Sequence, residues 1–205
     1  MSEYRNLFGL NRPAAWASSF ARVCGMVAVA SIMTTTPSPA FAQTAGGSGT
    51  PSKPAPPCST PEHRAFDFWI GEWDVTSSAS TTATAINRIS VQHGGCVIRE
   101  EYETNGGYSG MSMSFYDAPR KRWHQTWMGV DGTPLYIEGG PNAEGQMVLS
   151  NANWPGYVAG TTVNRVTWTP NPDGSVRQHW QKSDDGGKSW SDVFDGLYVK
   201  RKAGK

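Results

Sequence analysis

Between Thr76 and the C-terminus no window sustains a helical period, and turn sequences recur at short, regular intervals. They are Gln92-His93-Gly94-Gly95, Asn105-Gly106-Gly107, Asp117-Ala118-Pro119-Arg120, Val130-Asp131-Gly132, Pro141-Asn142-Ala143-Glu144-Gly145, Asn171-Pro172-Asp173-Gly174 and Asp184-Asp185-Gly186-Gly187. Gly, Asn and Asp supply the positive φ angles that tight hairpins require. The segments between them are short and alternating, which predicts about ten strands. Turns of this length carry no crossovers, so consecutive strands pair antiparallel. Closing such a meander removes the edges that invite aggregation. The expected fold is therefore all-β, a single antiparallel up-and-down barrel of about ten strands, with a two-sheet sandwich as the alternative.

Strand periodicity assigns faces. In VIREEY, Ile98, Glu100 and Tyr102 share one side; in WHQTW, Trp123, Gln125 and Trp127 do. Asn164, Val166 and Trp168 group together, as do Val176, Gln178 and Trp180. In MSMSFY the apolar set is Met111, Met113 and Phe115, opposed by Ser112, Ser114 and Tyr116. The aromatic and sulfur-rich face of each strand is expected to point inward. It also carries Glu100, Gln125, Asn164 and Gln178. Buried polar groups need partners, since each orphan costs about 1–3 kcal/mol. Either these four bond one another and trapped water as structural glue, or they converge in a cavity walled by Met113, Trp127, Trp168 and Trp180, the usual build of a small-molecule site.

The N-terminal end reads as an address. Arg5, Arg12 and Arg22 precede the apolar run Val23–Met33, and Ala40-Phe41-Ala42 offers a small-x-small exit ahead of Gln43. That is the pattern of a signal peptide over residues 1–42. The apolar run falls short of the roughly 20 residues that span a bilayer, and Cys24 lacks a lipobox. Removing 42 of 205 residues leaves a mature chain of 163, a single-domain length without a membrane span. It loses three of 18 basic and one of 17 acidic residues, and the remaining 15 and 16 nearly balance. With no basic stripe, nucleic acid is a poor partner. Residues 43–57 are a Gly, Ser, Thr, Pro and Ala leader, apolar-poor and expected to be flexible, which leaves the barrel domain to residues 58–205. Cys58 and Cys96 survive cleavage, and an even count in an exported chain favours a disulfide. Without spaced Cys or His companions they make a poor zinc site.

The stretch FDFWIGEWDV, Phe66 to Val75, spends four large aromatics where the folded domain begins. Its Gly71-Glu72-Trp73 resembles the lipocalin and wider calycin start, in which the tryptophan plugs one end of the barrel. With GGCVIREEY, GYSGMSMSFYD, RWHQTW, RVTWTP, VRQHWQKSDDGGKSW and FDGLY in this order, the chain resembles a bacterial family of exported calycin-like domains without an assigned function. The resemblance spans about Cys58 to Arg201 and implies a β-barrel, but it brings no catalytic residues to carry over. Phe66, Phe68, Trp69 and Trp73 are accordingly expected to form the plug and floor. A second motif, Ser183-x-Asp185-x-Gly187-x-Ser189-Trp190, is similar to the Asp-box of sialidases and related propellers. One copy cannot make a propeller, so it is expected to staple a turn through its own backbone.

Three classes of function follow. The first is a periplasmic or secreted binding module for a small apolar or amphiphilic molecule, needing no cofactor. The second is a haem or gas carrier, as in some ten-stranded calycins, using one of His63, His93, His124 and His179. The first two of these lie outside the strands, and the other two alternate outward. The third is an enzyme, with Glu100 as a buried acid or base, although no Ser-His-Asp order, metal cluster or phosphate loop accompanies it. The binding module is the preferred expectation. A filled interior would instead indicate a structural or interaction role.

Overall fold

The computed structural model describes residues 55–78 and 80–202. The expected signal peptide, and the leader up to residue 54, lie outside the described residues. Ten strands follow a short entry segment: β1 (Gly71–Ser77), β2 (Ala85–Gln92), β3 (Val97–Thr104), β4 (Ser109–Asp117), β5 (Arg122–Gly129), β6 (Pro134–Pro141), β7 (Met147–Ser150), β8 (Val163–Pro170), β9 (Val176–Ser183) and β10 (Ser191–Lys200). Each pairs antiparallel with its sequence neighbours, and β1 pairs with β10 to close the barrel. The up-and-down barrel is thus the fold. Among the described residues no helix is long and apolar enough to cross a membrane.

One end of the barrel is plugged. The entry segment has a helical turn at Pro61–Arg64 and a 3-10 turn at Asp67–Trp69, and it tucks beneath the strands. Phe66, Trp69, Trp73 and Trp168 have no exposed surface. Phe66 stacks on Trp69 at 4.9 Å and meets Trp168 edge-on at 5.1 Å and Trp123 at 5.6 Å. Rings of this size dominate core burial, and tilted contacts suit their quadrupoles. Trp73 Nε1 donates to Trp69 O at 2.9 Å, and Trp123 Nε1 donates to Glu62 O at 3.1 Å. Phe66, Trp69 and Trp73 are plug residues as expected; Phe68 packs against this core only partly buried.

Gly71 has a structural reason. Its φ is +145°, and Lys200 crosses directly above it, where a Cβ would collide with the ammonium. That ammonium donates to Ile70 O and lies 3.9 Å from the Trp73 ring centre. A cation over an indole face is attracted by the ring quadrupole.

A disulfide joins Cys58 to Cys96, with the Cα atoms 5.0 Å apart, and ties the entry segment to the β2–β3 corner. Residues 55–70 and the C-terminal end of β10 both lie at this plugged end. At the opposite end the β9–β10 hairpin carries the Asp-box residues. Asp185 Oδ1 accepts from the amides of Lys188 and Ser189, both at 2.9 Å, and Asp185 Oδ2 accepts from Ser189 Oγ at 2.6 Å. Ser183 Oγ accepts from Gly187 N at 2.8 Å, and Arg165 lies 3.9 Å from the Trp190 ring. The motif is a turn staple.

Candidate functional site

Above the plug the inward faces of the strands leave a cavity of about 300 Å³, reached from the end opposite the entry segment. Small residues on β4 make the room. Ser112 sits in register between Glu100 and Trp127, and Ser114 between Ile98 and Gln125. At Gly110 a Cβ would strike the Trp127 indole, so glycine lets that ring lie against the strand.

This register corrects one expectation. Met113, assigned to the ligand wall, points outward and is 45% exposed, as Phe115 is at 38%. Ser112 and Ser114 are fully buried in its stead. The choice of face on β4 is decided by its neighbours. Glu100 and Gln125 already fill the interior beside it and need hydroxyl partners, which Met113 and Phe115 cannot supply.

The floor of the cavity is polar. Glu100 is 4% exposed; its Oε1 accepts from Asn87 Nδ2 at 2.7 Å and its Oε2 from Ser112 Oγ at 2.6 Å. Burial drives its carboxyl up to about 7, against the downward pull of the two hydrogen bonds. Gln125 Nε2 donates to Ser114 Oγ at 3.0 Å, and Tyr198 Oη donates to Gln178 Oε1 at 2.5 Å. Tyr102 is pushed up to about 12, and Tyr198 well above the usual phenol range, by burial first and then by the charge of Glu100.

The walls are aromatic. Tyr102 meets Trp127 edge-on at 6.1 Å and Phe194 at 6.4 Å. A bulge between Asp192 and Phe194 shifts the β9–β10 register. Such an extra residue re-aims its neighbours; here Val193 and Phe194 both line the cavity. Trp180 completes the wall, its Nε1 donating to Asn164 Oδ1 at 2.8 Å.

No family model and no curated protein matches the chain.

Of the eight expected ligand residues, Glu100, Gln125, Gln178, Trp127 and Trp180 line the cavity. Asn164 orients Trp180 and does not line the space itself. Trp168 belongs to the plug, against Phe66 and Trp69, which corrects its assignment to the wall. It sits nearer the closed end than its strand-mates because β8 runs from the mouth at Val163 to the plug at Pro170. Asn87, Tyr198 and Phe194 were not anticipated. Asn87 faces in by the same alternation as Ala85 and Ile89, and that parity was available in the sequence. Phe194 shares parity with inward Gly196 and Tyr198, so it too was legible; the bulge changes the phase only of the residues before it, such as Val193.

None of the four histidines lines the cavity. His124 lies on the outer face, with Nδ1 3.1 Å from Glu138 Oε1 and Nε2 2.8 Å from Thr126 Oγ1. His179 Nε2 is 2.7 Å from Asp192 Oδ1, His63 packs edge-on against Tyr116, and His93 is in the β2–β3 turn. Glu138 is only 1% exposed although its strand position points outward. Arg120 grips both its carboxylate oxygens, and the segment after β7 covers it through Asn153, which donates to Glu138 O at 3.0 Å. Burial would raise the Glu138 carboxyl, but the bonds from Arg120 and His124 outweigh it and hold it below the usual range.

Proposed function

We propose that this barrel is an exported, lipocalin-like binding module that takes one small apolar or amphiphilic molecule into the cavity above Glu100. The observation that carries this reading is a space of about 300 Å³ with aromatic walls and a convergent polar floor. That volume sits at the lower end of ordinary ligand sites, and apolar walls with a few oriented polar groups are their usual composition. The export part rests on the signal-like leader, and the Cys58–Cys96 disulfide suits an oxidising compartment. The lipocalin-like part rests on Gly71-Glu72-Trp73 starting the first strand of a closed barrel.

The test is saturable binding of the neutral fluorophore N-phenyl-1-naphthylamine, with energy transfer from Trp127 and Trp180 as the signal. Leu135→Trp, which fills the mouth, should abolish the binding while denaturant melts show the variant folded. Binding that survives in Leu135→Trp would place the dye elsewhere. Failure of this dye and of a panel of aryl-alkyl amphiphiles to bind the wild-type protein would reduce the cavity to a packing gap.

A further inference from the structure

We infer that the ligand carries a cationic amine head, which pairs with Glu100 at the cavity floor while the aromatic walls hold its body. This inference rests on the ligand-binding reading and names the class of ligand within it. The first ground is an imbalance of charge. Glu100 is the one carboxylate lining the cavity, and no lysine, arginine or histidine lines it among the described residues. Its two hydrogen bonds, from Asn87 and Ser112, come from neutral donors. A carboxylate offers about four lone-pair sites, so two acceptor positions stay open to a guest. Taking a carboxylate out of water without a counter-charge is costly, and a partner of opposite charge restores the balance.

The second ground is the wall. Tyr102, Trp127, Trp180 and Phe194 present ring surfaces around the space above that carboxylate. The faces of such rings attract cations, most strongly where water is excluded. An anion would be repelled by Glu100, and a neutral head would offer its carboxylate no counter-charge. The other titratable groups facing Glu100 are phenols: Tyr102 on β3, Tyr198 on β10 and Tyr108 at the mouth. Around them stand neutral Asn87 from β2, Ser112 from β4, Gln125 from β5 and Gln178 from β9. Near neutral pH, Glu100 is therefore the group whose charge responds to the guest. A cationic guest favours the ionised form, so binding below about pH 7 must expel the proton that Glu100 holds in the empty barrel.

The experiment uses three probes with one aromatic body: 2-phenylethylamine, 2-phenylethanol and 3-phenylpropionate. Each is titrated against the full-length protein by calorimetry and by displacement of N-phenyl-1-naphthylamine. The amine should bind about tenfold or more tighter than the alcohol, a difference that Glu100→Gln abolishes while sparing alcohol affinity. At pH 6, in buffers of different ionisation enthalpy, amine binding should release protons and alcohol binding should not. The comparison of amine with alcohol needs only the wild-type protein, so it decides the matter even where Glu100→Gln fails to fold. Equal or tighter binding of the alcohol, or an amine preference surviving in Glu100→Gln, would overturn the amine assignment and leave the binding-module reading intact. If neither the dye nor any probe binds, both fall.

Discussion

Glu100 makes the stability of this protein depend on pH in an uncommon direction for a carboxylate. Its pKa is raised from 4.5 to about 7 in the folded barrel, mainly by burial. Its contribution is whole below pH 4.5 and is lost as the pH rises through about 7. That difference corresponds to roughly 3 kcal/mol. Denaturant melts at pH 5 and pH 8 should show wild-type stability falling across the interval, and Glu100→Gln should flatten the fall. A wild-type curve that rises over this range, or a variant with the same slope, would mean that Glu100 is solvated. At this scale alternation sufficed for Glu100, Gln125 and Gln178, since each shares parity with an aromatic two residues away. It failed for Met113 because hydrophobicity alone cannot say which face a strand turns inward when its neighbours demand hydroxyls. It could not reveal that Glu138, outward by parity, is buried by Arg120 and by the segment after β7, because that cover comes from distant parts of the chain.

Individual elements depend on a few residues with no role in the cavity. The start of β1 needs glycine: Gly71→Ala would impose a side chain at φ +145° and push Lys200 off Ile70 and the Trp73 face. Strain of this kind costs roughly 1–3 kcal/mol, and a chemical melt with an unchanged m-value should register it. The β9–β10 hairpin depends on Asp185. Its carboxyl is held below the ordinary range by Ser189 first, through side chain and amide, and then by Ser183. The folded pKa is depressed, so this support is present above the ordinary value of 3.8 and fades as the pH falls below it. In Asp185→Ala the amides of Lys188 and Ser189 should exchange about tenfold faster or more, with those of β3 unchanged. Unaltered exchange at the turn would show that the hairpin stands without its staple. Turn residues made the strands legible, because each tight turn needs specific chemistry. The bulge at Val193 left no such mark, since an inserted residue looks like any other and is exposed only by the register of the partner strand.

For the whole barrel, the disulfide and the aromatic plug act on the same end. The Cys58–Cys96 bridge spans a separation of 38 residues, and loop-closure entropy assigns it about 4 kcal/mol. Reduction, verified by alkylation and mass, should lower stability by that order and loosen the entry segment. An unchanged melt after full reduction would show that the plug alone secures this end. Closure itself was legible in the count and spacing of turns. The division of the interior into a packed lower half and an open upper half was not, because it depends on how far along the barrel each inward ring sits.

Residue 55 and the end of β10 share the plugged end, while the cavity opens at the other. A surface or carrier joined directly to either end of the described chain would therefore meet the barrel on the side away from the entrance. Grafted to a surface or a carrier protein by its N- or C-terminal side, the barrel would stand like a cup on its base. Its affinity for N-phenyl-1-naphthylamine should be the same when immobilised through either side as in solution, within about twofold. Attachment through a cysteine placed at exposed Thr133, in the β5–β6 turn at the mouth end, should slow both entry and escape of the dye.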